Sequence, residues 1–193
     1  KIAAGVFVGS LYPPRDRWVW DLDGLIDRVE SPESDVFHWL FERSHEWIQR
    51  AFDRARERDP WWSKHVHRAY NGLQRGLRRH AFRTFLETIR EGLAVVNLPS
   101  MVRGESGRVV EGIAAGRPVV THRVPGHAPI FEAGREILHY DTAEELGEHL
   151  RRLKAEPLSA TAIAVRARAA LLAHHTVETR TQQLLDFTEG ADG

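Results

Sequence analysis

Ser106, Gly107, Arg108 and Glu111 are the residues whose types and spacing say most about chemistry. Ser106 and Gly107 can open a helix, Arg108 adds a fixed positive charge in its first turn, and Gly116 followed by Pro118 closes it. The first turn of a helix presents unpaired backbone N–H groups and the positive end of the macrodipole, so the natural occupant in front of it is an anion. Glu111 falls among Val109, Val110, Ile113 and Ala114, close to the apolar stripe. A carboxylate there needs a hydroxyl or amide partner, and a ribose would supply one. A helix between two strands with an ordinary surface Glu is the alternative reading of the same residues.

These groups are useful only if strands and helices bring them together. Ala4 to Val8 reads as a buried strand that ends in Gly9 and Ser10 and runs into a loop with Pro13, Pro14 and Arg15. Leu93 to Leu98 reads as a second strand ending in Pro99 and Ser100, followed by the helix Gly107 to Ala115 and a short β-rich run from Pro118 to His122. Beyond Pro125 and Gly126 the phrase that begins IFEAGREI predicts a short helix, a strand at Ile137 to Tyr140, and a helix capped at Asp141 or Thr142, with Glu145 three residues after Thr142 completing a capping box. Ser159 to Phe187 reads as one or two helices with a break near His174 to Thr176. This alternation predicts an α/β fold, a Rossmann-like parallel sheet of few strands flanked by helices, whose ligand lies beyond the carboxyl ends of the strands. Gly9-Ser10 and the Pro99 to Gly107 loop would both stand at such ends and could face one ligand.

Between these zones, Trp18 to Glu91 offers no convincing strand. Apolar residues recur there at helical spacing, as in Phe37, Leu40 and Phe41 and then Trp47, Ile48 and Phe52, with a break at Asp59 and Pro60. All six Trp fall in this zone, which points to a core or a subunit interface. The expected organisation is one nucleotide-binding domain over residues 1–193 with a mostly helical insertion over 17–91.

Composition sets outer bounds. With 193 residues, 42% of them hydrophobic, the chain can bury a substantial core. Lys and Arg balance Asp and Glu at 27 each, so any charged partner must be met locally. The absence of Cys removes disulfides, thiolate metal sites and Cys nucleophiles and fits a reducing, cytoplasmic setting. No run approaches the roughly 18 apolar residues of a membrane span. Lys1-IAAGVFVGSL lacks the small-x-small cleavage site of a signal peptide and reads better as a strand. Starting on that strand without Met, the chain is expected to be part of something longer.

FVGSLYPPR, GRVVEGIAAGRPVVT, FEAGREILHYDTAEELGEHLRRL and HHTVETR, in that order, resemble the C-terminal, donor-binding half of GT-B glycosyltransferases. The group 1 type, in the branch related to spore-maturation glycosyltransferases, is the most similar. The likeness runs through the opening loop and about residues 93–187; the Trp-rich zone carries none of its motifs. It implies transfer of a sugar from a nucleotide-diphosphate sugar, without a required metal or other cofactor. It further implies that Gly9 and Ser10 let the backbone approach the phosphates, that Arg15 pairs with them, that Ser106, Gly107 and Arg108 cap the diphosphate, and that Glu111 accepts hydrogen bonds from the ribose hydroxyls. Many retaining members carry two Glu separated by seven residues. Here Arg103 stands eight positions before Glu111 and Glu105 is displaced by two, so Arg103 becomes a phosphate-binding candidate and retaining chemistry is not inferred. The acceptor site, and in inverting members the general base, would belong to an N-terminal half or partner chain, leaving the catalytic residues unassigned. A nucleotide-sugar epimerase, a non-catalytic sugar-nucleotide binder, or an interaction module built on the same core are the alternatives.

Other constellations read as structural. Asp21-Leu22-Asp23 is a DxD triplet that could hold a cation, yet it reads better as a solvated helix boundary. His65 and His67, and His174 and His175, lack the i, i+4 spacing of a zinc pair. His175, Thr176 and Arg180 are expected to cap and pack a helix. Arg75, Arg78, Arg79, Arg83 and Arg90, interleaved with His80, Phe82 and Phe85, make a basic face that could meet RNA but reads better as solvated. Homo-oligomerisation through the Trp-rich helices is a further expectation.

Overall fold

The computed structural model describes residues 4–9, 15–29, 35–58, 60–99, 106–124 and 130–190. Five strands form one parallel sheet: β1 (Gly5–Val8), β2 (Ile26–Val29), β3 (Ala94–Asn97), β4 (Val119–His122) and β5 (Leu138–Tyr140), in the order β2-β1-β3-β4-β5. The helices are α1 (Arg15–Asp21), α2 (Asp35–Arg58), α3 (Pro60–Glu91), α4 (Gly107–Ala114), α5 (Ala143–Ala155), α6 (Pro157–His174) and α7 (Val177–Gly190). The chain divides into two compact units, one of Lys1–Val29 with Thr88–Gly193 and one of Glu30–Glu87.

In the sheet unit, strands β1, β3 and the first three residues of β4 are buried throughout, as expected of a parallel sheet covered on both faces. Leu146, Leu150 and Leu153 of α5 and Ile163 of α6 close over Phe7, Val96, Val120 and Leu138 in a continuous core. Close helix-to-sheet packing depends on glycines. A Cβ on Gly5 would stand 2.7 Å from Val96 Cγ2 and 2.9 Å from Leu150 Cδ2, and one on Gly112 would stand 2.8 Å from Val119 Cγ2. Gly112 thereby lets α4 lie directly on β3 and β4. Gly116 (φ 77°) ends α4 with its N–H on the Ile113 carbonyl, 2.9 Å away.

Three expectations need correction. The stretch from Trp18 to Glu91 does contain a strand, β2, which pairs only with β1 at the sheet edge. Its Asp27 is exposed there, and such a charge on an edge strand hides the apolar run by which buried strands are recognised. The IFEAG segment is not a helix: Ala133 and Ile137 form a β-bridge around a turn whose Gly134 has φ 77°. Third, of the two settings expected for the Trp residues, core and subunit interface, the core holds few of the described rings. Trp18 packs against the sheet core, but Trp20, Trp47, Trp61 and Trp62 are all more than half exposed. Two helices share only one face, so aromatic rings off that face stay in solvent. Thr142 caps α5 by accepting from Glu145 N at 3.3 Å, and the Glu145 carboxylate accepts from Asp141 N at 2.7 Å. The break near His174 to Thr176 separates α6 from α7. Among the described residues no helix is long and apolar enough to cross a membrane.

Candidate functional site

After β1 the chain passes through α1 to β2 on one side, and β3 lies on the other side of β1. The sheet order therefore reverses between β1 and β3, and the carboxyl ends of those two strands flank the crevice where such sheets bind ligands. Gly9 stands at the exit of β1 with φ 153°, and a Cβ there would also meet the Phe7 ring at 3.3 Å. The exit of β3 is held by Arg15, the first residue of α1. Its Nε donates to the Pro99 carbonyl at 2.7 Å, a guanidinium Nη donates to the Leu98 carbonyl at 3.4 Å, and the group lies 5.6 Å from the Phe7 ring centre. Arg15 thus joins α1, β1 and β3 at the crevice.

Ser106 is the N-cap of α4, and its side chain accepts from the backbone N–H of Arg108 at 3.2 Å. Gly107 opens the helix with nothing within 4 Å of where its Cβ would be. Arg108 and Glu111 form a half-exposed ion pair at 3.3 Å. The partner that the Glu111 carboxylate required is therefore present within the helix, and a ribose is not needed to account for it. Gly9, Arg15, Ser106, Gly107, Arg108 and Glu111 all belong to the sheet unit. Ser10 and Arg103 lie outside the described residues.

Behind this edge lies a polar network that the sequence reading missed. Buried Asn97, the last residue of β3, donates through Nδ2 to Thr121 Oγ1 of β4 at 2.8 Å, and the Tyr140 hydroxyl of β5 donates to the Asn97 carbonyl at 2.8 Å. Trp18 stacks at a tilt on Tyr140, ring centres 5.4 Å apart, and meets His122 edge-on at 6.1 Å. Burial pushes the Tyr140 phenol far above its ordinary pKa against the opposing charge of Arg15, so it acts as a fixed donor. The network locks the ends of three strands to α1. A signal existed: Asn97 closes the otherwise apolar AVVN run, and Thr121 follows two Val within VVTH.

Two other groups singled out by the sequence, Asp21-Leu22-Asp23 and His175-Thr176-Arg180, lie at helix boundaries. Asp21 ends α1 and Asp23 lies in the turn after it, both exposed. Thr176 caps α7 by accepting from Thr179 N at 3.2 Å, Arg180 donates to His175 Nδ1 at 2.6 Å, and the His175 ring packs 4.8 Å from that of Phe131. Desolvation, then Arg180 and His174, lower the pKa of His175.

A family model described as glycosyl transferase-like matches residues 39–186, which includes the helical zone from Trp39 onward. No curated protein matches the chain in sequence. Among solved structures, HepE of Anabaena in complex with UDP-glucose is similar with a TM-score of 0.59 and 15% identity, covering 97% of this chain and 49% of that one. Its complex with UDP gives 0.60 and 15%, covering 98% and 49%. TarM is similar at 0.51 and 14%, covering 96% and 35%. The chain thus spans about half the length of HepE. The fold is that of a Rossmann-like GT-B half, and with a family model matching most of its length, the chain belongs to the glycosyl transferase-like family.

Proposed function

We propose that this chain is the donor-binding half of a glycosyltransferase that takes its sugar from a nucleotide-diphosphate sugar. The observation that carries the reading is topological: a strand exit with glycine backbone at Gly9 and an anion-favouring helix start at Ser106-Gly107-Arg108 follow the carboxyl ends of the adjacent strands β1 and β3, at the switch point. The diphosphate sits before α4, where the helix amides and Arg108 offset its charge, the main electrostatic task when a nucleoside diphosphate leaves. Arg108 turns from Glu111 toward the phosphates, and the Glu111 carboxylate accepts from the ribose hydroxyls. Arg15 acts mainly by fixing the exit of β3. Ser10 and Arg103, in the segments that follow Gly9 and precede Ser106, add further phosphate contacts.

Transfer also needs an acceptor site and stabilisation of an oxocarbenium-like centre. We assign these to a second half, on the same chain or a partner, in keeping with the 49% of HepE that this chain spans. The test is thermal unfolding with UDP, GDP and TDP at millimolar concentration. A ligand that binds the native state at about 100 times its Kd stabilises it by about 2.7 kcal/mol. A rise in Tm with at least one nucleotide is expected; no shift with any of the three contradicts the donor site.

A further inference from the structure

Within the helical unit, His45 of α2 and Tyr70, Asn71, Gln74, Arg75 and Arg78 of α3 line a cavity of about 560 Å³. That volume lies within the roughly 300–1,000 Å³ range of small-ligand sites. Among the described residues no carboxylate lines it, while two guanidinium groups stand three residues apart on neighbouring turns of α3. Arg75 Nε donates to the Asn71 carbonyl at 3.2 Å, which holds that guanidinium along its own helix.

The cavity has a built polar wall. Gln74 is only 7% exposed. Its Nε2 donates to the Tyr70 hydroxyl at 3.0 Å, which leaves the phenol proton for His45 Nδ1 across the groove. Gln74 Oε1 is buried with no hydrogen-bond partner. A buried amide oxygen without a donor is costly, and a ligand hydroxyl is one group that would satisfy it after a small rotation of the carboxamide.

We propose that this α2–α3 groove binds a sugar-sized phosphomonoester, its phosphate on Arg75 and Arg78 and its hydroxyls on Gln74 and Asn71. Two adjacent guanidinium groups suit a dianion, and the cavity is larger than phosphate alone would fill. The site is separate from the nucleotide reading and does not depend on it.

Isothermal titration of the whole chain with glucose 6-phosphate and with inorganic phosphate tests it, using wild type, Arg75→Ala/Arg78→Ala, Gln74→Leu and Arg108→Ala. Saturable binding of the sugar phosphate, tighter than inorganic phosphate by about tenfold, is expected from the added hydroxyl contacts. The double Arg variant should lose about tenfold or more for both probes, as charge-assisted contacts are removed. Gln74→Leu should weaken only the sugar phosphate, while Arg108→Ala removes any phosphate held before α4 and should leave sugar-phosphate binding in this groove in place. Since Arg75 and Arg78 are exposed, the double variant should keep the wild-type circular dichroism spectrum. No binding of either probe, equal affinity for both, or binding lost in Arg108→Ala and kept in the double Arg variant would overturn the proposal.

Discussion

The sheet unit and the helical unit treat some of their polar and aromatic groups differently. In the sheet unit the buried polar side chains Asn97 and Thr121 bond to each other across adjacent strands, and Trp18 is drawn against the core. In the helical unit the buried Gln74 keeps an unpaired oxygen, while Trp47, Trp61 and Trp62 face solvent. In the covered parallel sheet, pairs of this kind hold the strand ends in fixed positions. A pair of helices shares one seam and leaves the rest as surface, where aromatic and cationic groups can meet ligands.

The same substitution should therefore change sign between the two. Gly112→Ala puts a Cβ 2.8 Å from Val119 Cγ2 and is expected to cost about 1–3 kcal/mol by overpacking, read by urea unfolding. Gly72→Ala, in α3 with nothing within 4 Å of its Cβ, should instead stabilise the chain by about 0.4–1 kcal/mol. A loss at Gly72 as large as that at Gly112 would remove the contrast. An intermediate effect, between those two in size, is expected from Thr121→Val, which keeps the shape but strips Asn97 Nδ2 of its acceptor, at about 1–2 kcal/mol in the same assay. An unchanged midpoint would mean that the network does not hold the strand ends.

The smallest effect concerns pH. His175 has a folded pKa below its ordinary 6.5, so the unfolded chain binds the extra proton first. Its contribution is fully present above pH 6.5 and is lost as the pH falls through the lower folded value. Unfolding midpoints should decline between pH 7.5 and 5, and His175→Gln should flatten that slope; an identical slope in the variant would count against the account.

How much was readable in sequence follows the same division. Buried strands β1, β3 and β4 announce themselves as apolar runs ended by Gly9, Asn97 and His122, and α4 and α5 by Ser106 and Thr142 at their caps. The charged edge strand β2 and the Gly134 turn did not, because an edge needs no apolar run and a turn of FEAGREI imitates helical spacing. At the candidate site, Ser106 and Gly107 were legible from local rules. Two features depended on tertiary geometry and were not legible: the hold of Arg15 on the β3 exit, and Glu111 turning to Arg108. Aromatic density in the helical zone could not be sorted into inside and outside before the helix faces were known.

Nucleotide affinity in Arg108→Ala and Glu111→Ala tests the central claim most directly, read by titration of UDP and of whichever nucleoside diphosphate gives the largest thermal shift. Each variant is expected to lose about tenfold or more, the size of one charge-assisted hydrogen bond at roughly 1.5–3 kcal/mol, with an unfolding midpoint close to wild type because the pair is half-exposed. Wild-type affinity in both would contradict the account and move the nucleotide away from the start of α4.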